Sequence, residues 1–277
     1  MRARTGQPVS VALELELVRV AAEYVTARYL ADPLMSRAEE RLRRFVPVLQ
    51  ARLGDRPYRA SDRVTVRALE EAALTDDALL ASYLGGVLAA SGPEDDTGAA
   101  VIAQIGRLSA LQLRLHFVLF RAVRQFDADA TQLIDLRDPD ELRAAYSLFI
   151  PVQEVKIAMG LTEGPSANER VSSMMRVLAR EGLVASELEG RGWRVTPGYE
   201  IGDATKLEKM FRSESPIPGP GLVAGPTPSG IELFLWGTGG DDHDPAALRT
   251  IPVALVDQLN SQVPSCPGAH TLRELAI

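Results

Sequence analysis

Cysteine is almost missing from this chain, because Cys266 is the only one among 277 residues. A single thiol cannot form an intrachain disulfide, so a disulfide-stabilised fold is excluded, and this cysteine usage is typical of a reducing compartment. Residues 1–9 also lack the apolar core of a signal peptide. We therefore expect a soluble, cytoplasmic protein in which Cys266, near the C-terminus between two prolines, is an incidental thiol.

Aromatic residues and a basic excess are also lacking. Aromatics make up 5% of the chain, so aliphatic side chains and alanine must fill the core. Stretches rich in Ala, Leu, Glu and Arg are good helix formers. The formal net charge is -7, whereas phosphate contacts dominate the affinity of nucleic-acid binders. This balance disfavours nucleic acid as a general partner, although a local basic patch remains open.

No run of residues is long and apolar enough to span a bilayer. The nearest candidate, Leu108 to Val123, is interrupted by Arg114, His116 and Arg121. We expect no transmembrane segment.

Recognisable catalytic motifs are absent as well. The sequence contains no Walker phosphate loop, no HExxH metal site, no GxSxG elbow and no CxxC pair. The glycine-rich stretch Gly219 to Gly225 lacks the spacing of a dinucleotide site, and we expect a mobile loop there. We predict no catalytic residue, no cofactor and no metal ligand, while an enzyme with a dispersed site stays open as a third possibility.

The three histidines do not form a constellation in the sequence. His116 has no carboxylate three or four residues away, so a structural role is favoured. The run Asp241-Asp242-His243-Asp244 has ligand types suited to a divalent ion. Adjacent residues of one segment do not converge on a metal, however, and a solvated acidic loop is the favoured interpretation. His270 and Cys266 lie near the C-terminus.

Helical periodicity dominates what the sequence does contain. We predict a mostly α fold, in which a multi-helix bundle is followed by a winged-helix-like α/β module with one small hairpin. We expect the hairpin, between about Leu183 and Tyr199, to contain the only strands. The predicted parts are N-terminal helices over 1–56, a helical core domain over 57–135, a winged-helix-like C-terminal domain over 136–240 and a loosely ordered tail over 241–277.

Residues 61–126 give the clearest helical pattern. Ser61 and Thr75 are predicted to cap two helices, and Ser109 with Gln112 forms a capping-box pattern for another. Gly85-Gly86 lowers helix propensity and is predicted to permit a close helix crossing. Leu84 and Leu115 fall within apolar helical stripes and are predicted core positions.

Residues 139–195 follow the order helix, turn, helix, hairpin, which is typical of a winged helix. The first helix is predicted from Pro139 to near Gly160, disturbed by Pro151. The second, which ends at Gly182, and the hairpin carry a candidate phosphate-contacting set. It consists of Arg170, Arg176, Arg180, Arg191 and Arg194, with Glu169 and Glu181 balancing the helical members.

Three stretches carry a family resemblance. Residues 68–91 contain ALEEAALTDDALL followed by YLGGVLAAS, residues 105–112 read IGRLSALQ, and residues 178–184 read LAREGLV with TPSG at 227–230 and Phe234 beyond it. Together they resemble the abortive infection alpha (Abi-alpha) family of bacterial proteins, formerly a domain of unknown function. The resemblance covers roughly residues 57–237, with a long insert before Thr227 and a departure at Gly85-Gly86. It implies antiphage defence and supplies no catalytic residue.

These observations favour a non-enzymatic bacterial protein that acts through protein interactions in antiphage defence. We expect a protein partner or self-association. The amphipathic stripe of residues 9–30, which comprises Leu13, Leu17, Val20, Tyr24 and Ala27, could dock on a partner chain. The alternative is a winged-helix DNA-binding transcriptional regulator that uses the five arginines.

Overall fold

The computed structural model describes residues 32–130, 133–161, 165–185, 188–190, 193–195, 221–260 and 263–275. Within them the protein is mostly helical, so the predicted fold class is confirmed. The helices are α1 (Asp32–Leu53), α2 (Asp62–Leu74), α3 (Ala78–Ala90), α4 (Thr97–Gly106), α5 (Ala110–Asp129), α6 (Pro139–Tyr146), α7 (Val152–Met159), α8 (Pro165–Arg180), α9 (Pro228–Thr238), α10 (Val253–Asn260) and α11 (Leu272–Leu275). The strands are β1 (Leu148–Pro151), β2 (Leu188–Gly190), β3 (Trp193–Val195), β4 (Gly221–Ala224) and β5 (His270–Thr271).

The chain divides into two compact units. Unit 1 comprises Met1–Arg107 with Trp236–Asp241, and unit 2 comprises Leu108–Leu235 with Asp242–Ile277. Helix α9 therefore supplies residues to both units. The predicted helix over residues 9–30 lies outside the described residues, and the four-part division made from the sequence stays a prediction.

Capping residues mark where the helices of unit 1 begin. The Ser61 side chain caps α2 by accepting a hydrogen bond from the Val64 N–H, as predicted. At α3 the cap is Asp77, not Thr75, because the Asp77 carboxylate accepts the Leu80 N–H at 2.9 Å. The Thr75 hydroxyl instead accepts the N–H of Asp77 itself at 3.0 Å and fixes the turn before the helix.

Gly86 of α3 lies against the end of α9 within unit 1. A Cβ atom built on Gly86 would come 2.3 Å from the carbonyl oxygen of Gly237. Such an approach is far inside van der Waals contact, so only glycine allows the two backbones to pass this closely. The close crossing predicted from Gly85-Gly86 is confirmed, with Gly86 as the residue that requires it.

Unit 2 contains a small antiparallel sheet in the order β4-β1-β5. Leu148 pairs with Ala224 on one side and with Thr271 on the other. The prediction that strands occur only in the hairpin was therefore wrong. So was the prediction of one disturbed helix from Pro139 to Gly160, because β1 separates α6 from α7. The segment Leu148-Phe149-Ile150 is buried throughout, and such a short apolar run suits a buried strand.

The glycine-rich stretch is also different from its prediction. Its residues 221–224 are not a loop but strand β4, and all four are buried. Leu222 and Val223 supply an apolar strand segment that pairs with Ile150 and Phe149. A Cβ on Gly221 would lie 2.1 Å from the Phe149 ring. Glycine at this position therefore leaves space for the ring and does not serve to make the chain mobile.

The hairpin is confirmed: β2 and β3 pair antiparallel, with Leu188 opposite Val195 and Gly190 opposite Trp193. The C-terminal segment, expected as a loosely ordered tail with a possible helix around Pro252 to Leu259, contains that helix as α10 and further regular elements. It contributes a 3-10 helix at Pro245–Arg249, then α10, β5 and α11. Its aliphatic side chains supply core to unit 2, and Leu248 and Leu259 are fully buried.

Candidate functional site

Helix α8 divides into a buried face and an exposed face. Its buried residues include Val171, Met174, Met175 and Leu178, each at most 6% exposed. Their spacing is i, i+3, i+4 and i+7, as the sequence predicts for one face of a helix. Gly182, with φ of 74°, adopts the left-handed conformation just after the helix and ends it.

The opposite face of α8 forms a narrow exposed stripe. Glu169, Ser173, Arg176 and Arg180 are all exposed. They recur at i, i+4, i+7 and i+11, which places them in one row along the helix axis, because each residue advances by about 100°. We call these four residues the α8 stripe.

The predicted phosphate-contacting arginines are only partly assembled on this stripe. Arg176 and Arg180 lie one turn apart within it, and Arg170 is exposed on its flank. Arg194 lies on β3, and Arg191 lies outside the described residues. The structure therefore brings together Arg176 and Arg180, with Arg170 beside them.

The charge of the α8 stripe is mixed. Glu169 lies at its N-terminal end, seven residues before Arg176. At the other end, the Nε atom of Arg180 lies 3.6 Å from a carboxylate oxygen of Glu181. The Arg180 side chain is 71% exposed, whereas that of Glu181 is only 12% exposed. The Arg180 guanidinium is therefore accessible to a partner.

His116, the histidine predicted to be structural, is buried in unit 2. Its Nε2–H donates a hydrogen bond of 3.0 Å to the carbonyl oxygen of Gly230, and its ring lies 4.6 Å from that of Phe120. Burial lowers the pKa of His116 to about 4. The imidazole is therefore neutral at physiological pH and ties α5 to the start of α9.

Two aspartates of the acidic run Asp241 to Asp244 form hydrogen bonds with arginines. Within unit 1, a carboxylate oxygen of Asp241 lies 2.6 Å from an Arg56 guanidinium nitrogen. Within unit 2, Asp244 accepts hydrogen bonds from Nε and Nη2 of Arg137 at 2.7 to 2.9 Å. This pairing lowers the pKa of the Asp244 carboxyl. Among the described residues, no group of three His, Cys, Asp or Glu side chains is placed to hold a metal ion.

Sequence reasoning missed a buried polar cluster in unit 2. Asp127, fully buried on α5, accepts a 2.9 Å hydrogen bond from the Tyr146 hydroxyl and bonds to both Nε and Nη2 of Arg249. The only sequence signal was an aspartate four residues after the buried Val123 on the same helical face. Because Asp127 bonds to both Tyr146 and Arg249, the cluster joins α5, α6 and the 3-10 helix.

Cys266 is half-buried near the Arg121 guanidinium, which donates to the Val263 and Pro264 carbonyls. Burial raises the pKa of the Cys266 thiol to about 11. The thiolate is the nucleophilic form, so this cysteine is protonated and poorly reactive at neutral pH.

Among the described residues, no helix is long and apolar enough to cross a membrane. Comparison with known proteins gave no match to any family model, curated protein or solved structure. The α8 stripe is the candidate site because it is an exposed helical surface that carries both signs of charge.

Proposed function

We propose that this protein acts non-enzymatically, by binding another protein through the α8 stripe. The observation that carries the proposal is the mixed charge of this exposed face, with Glu169 at one end and Arg176 and Arg180 at the other. A protein partner can present basic groups to Glu169 and acidic groups to Arg176 and Arg180. Arginine is also enriched at protein interfaces, where its fork of donors meets carboxylates.

We propose further that this contact serves bacterial antiphage defence. The support is the resemblance of residues 57–237 to the abortive infection alpha family. Two motifs that carry it have clear physical roles in the structure. The capping box of Ser109 and Gln112 fixes the start of α5, and the Thr227 hydroxyl, which donates to the Gly182 carbonyl oxygen at 2.8 Å, ties the end of α8 to the start of α9. These motifs support the framework that holds α8.

A DNA-binding regulator is the second candidate, and one observation favours it. Arg170, Arg176 and Arg180 are all exposed on the helix that precedes the hairpin, where a winged helix contacts its DNA. The charge balance opposes it. Glu169 would lie beside phosphates that repel it, and Glu181 places a second carboxylate 3.6 Å from Arg180.

The test is a phage challenge of a bacterial host that expresses the full chain. Arg176→Glu with Arg180→Glu reverses two charges of the α8 stripe without touching a buried side chain. We expect the wild type to lower the plating efficiency of at least one phage in a panel. Protection against that phage should be at least tenfold weaker in the double variant. Circular dichroism verifies that the variant folds.

Arg43→Glu with Arg63→Glu is the matched control, because both side chains are exposed, at 73% and 71%, and the net charge changes equally. This control should protect like the wild type. A wild type that protects against no phage would refute the defence role. If the variant with Arg176→Glu and Arg180→Glu protects as well as the control, the α8 stripe is not the contact face. Tight, salt-dependent binding of duplex DNA, lost in the α8 variant, would favour the regulator instead.

A further inference from the structure

The charges of the α8 stripe are ordered along the helix. Glu169 lies near the N-terminal end and Arg180 at the C-terminal end, eleven positions apart, which is about 16 Å of helix. Ser173 and Arg176 lie between them at nearly equal distances from the midpoint of the stripe. The stripe is therefore acidic at one end and basic at the other.

An ordered stripe of this kind is complementary to itself when it is reversed. If two α8 helices pack antiparallel about a twofold axis, Glu169 of each lies opposite Arg180 of the other. Ser173 of each then lies opposite Arg176 of the other. One arrangement thus forms the acid-to-arginine contact twice, since every contact in a twofold interface is repeated. A parallel arrangement would instead place like charges together.

Near the midpoint of the stripe, a small side chain lies on one side and a large one on the other. Ser173 is exposed in the stripe, with Ser172 half-buried beside it, and Arg176 lies at the same distance beyond the midpoint. In the reversed pair each Arg176 therefore lies opposite the small Ser173 of the other copy, which leaves room for the arginine. The Arg180 side chain is 71% exposed, so its guanidinium is accessible to the second helix.

We infer that the partner of the α8 stripe is a second copy of this chain, bound through antiparallel α8 helices. The inference rests on the proposed function, because it names the partner of the same face. One helix face makes a small interface. We therefore expect a reversible dimer rather than an obligate one.

The test is sedimentation velocity on the purified full chain over about 1 to about 300 µM, a range suited to small interfaces. The wild type should shift from monomer to dimer within it. Glu169→Arg alone places arginine against Arg180, and Arg180→Glu alone places two glutamates together. Each single variant should dimerise at least tenfold more weakly than the wild type.

Mixing the two single variants is the decisive arm. In a heterodimer of Glu169→Arg with Arg180→Glu, both twofold-related contacts regain opposite charges. An equimolar mixture should therefore dimerise like the wild type, which also shows that each variant is folded. Arg273→Glu makes the same charge change on an exposed arginine of α11 and should leave dimerisation unchanged.

Three results would overturn the inference: a wild type that stays monomeric, single variants that dimerise like the wild type, or a mixture that stays monomeric. The outcomes distinguish a failure of this inference from a failure of the proposed function. A monomeric wild type whose phage protection still needs Arg176 and Arg180 leaves the function standing with a different protein partner. A chain that dimerises as described but protects against no phage refutes only the defence role.

Discussion

Leu84 and Leu115 are fully buried, the first in unit 1 and the second in unit 2. Replacement of either leucine by alanine removes buried methyl groups and leaves a cavity that the helices fill only partly. We expect Leu84→Ala and Leu115→Ala each to lower the free energy of unfolding by about 2–5 kcal/mol. Chemical denaturation followed by circular dichroism measures this.

Leu74 is the matched control, since its side chain is 60% exposed. Leu74→Ala should change the free energy of unfolding by no more than about 0.5 kcal/mol. Buried-site variants as stable as this control would show that the two leucines do not pack as described.

His116 makes stability depend on pH. Its folded pKa of about 4 lies below the ordinary value of 6.5, so the unfolded chain takes up a proton first as the pH falls. The stability it contributes is present above pH 6.5 and is lost as the pH falls toward 4. We expect the wild type to lose about 2 kcal/mol relative to His116→Gln between pH 7 and pH 4.5.

Gln can still donate to the Gly230 carbonyl but does not titrate, and the carboxylates that titrate in this range are common to both proteins. Urea denaturation at the two pH values gives the comparison. An equal stability difference between wild type and His116→Gln at both values would contradict the buried, neutral histidine.

For single residues, local sequence patterns predicted burial and structural roles but not partners that are distant in the chain. The burial of Leu84 and Leu115 and the structural role of His116 follow from helical spacing. Asp127 could be placed on a buried face, but its partner Arg249 lies 122 residues away. A single sequence holds no signal that joins two residues so far apart, and so the cluster could not be predicted.

Two adjacent glycines of α3 have different surroundings. A Cβ on Gly86 would lie 2.3 Å from a backbone oxygen, whereas a Cβ on Gly85 would have its nearest neighbour, in the Arg52 side chain, at 3.5 Å. Gly86→Ala should therefore destabilise unit 1 by about 1–3 kcal/mol, because neither backbone can give way easily. Thermal denaturation of the variant measures the loss.

Gly85→Ala provides the internal control one residue away. Its methyl group fits at ordinary contact distance and improves helix propensity, so the change should be neutral or stabilising by up to about 1 kcal/mol. Equal losses in the two variants would contradict the close crossing, since they would reflect only the presence of a side chain in α3.

Helices were easier to predict than strands for a physical reason. A capping box such as that of Ser109 and Gln112 is complete within one turn, so it can be recognised locally. The pairing of Leu148 with Ala224 and Thr271 joins segments far apart in the chain, and each strand is short. Their apolar runs are compatible with helix or loop until the partners are known, which is why β1, β4 and β5 were missed.

Across the described part of the molecule, the exposed α8 stripe is distinct from the histidine and cysteine residues capable of chemistry. His243 and His270 do not meet Cys266 in any group placed to hold a metal among the described residues. The Cys266 thiol has a pKa raised to about 11. His116 is omitted from any test of activity, because its replacement by alanine would remove the hydrogen bond to Gly230 and weaken the fold.

We propose that protection depends on the α8 stripe and not on histidine or cysteine chemistry. The most direct measurement is phage plating efficiency on hosts expressing equal amounts of two folded variants. One carries His243→Ala, His270→Ala and Cys266→Ala, and the other carries Arg176→Glu and Arg180→Glu. We predict wild-type protection from the first and at least tenfold weaker protection from the second. Loss of protection in the first variant, with the second unaffected, would contradict the account.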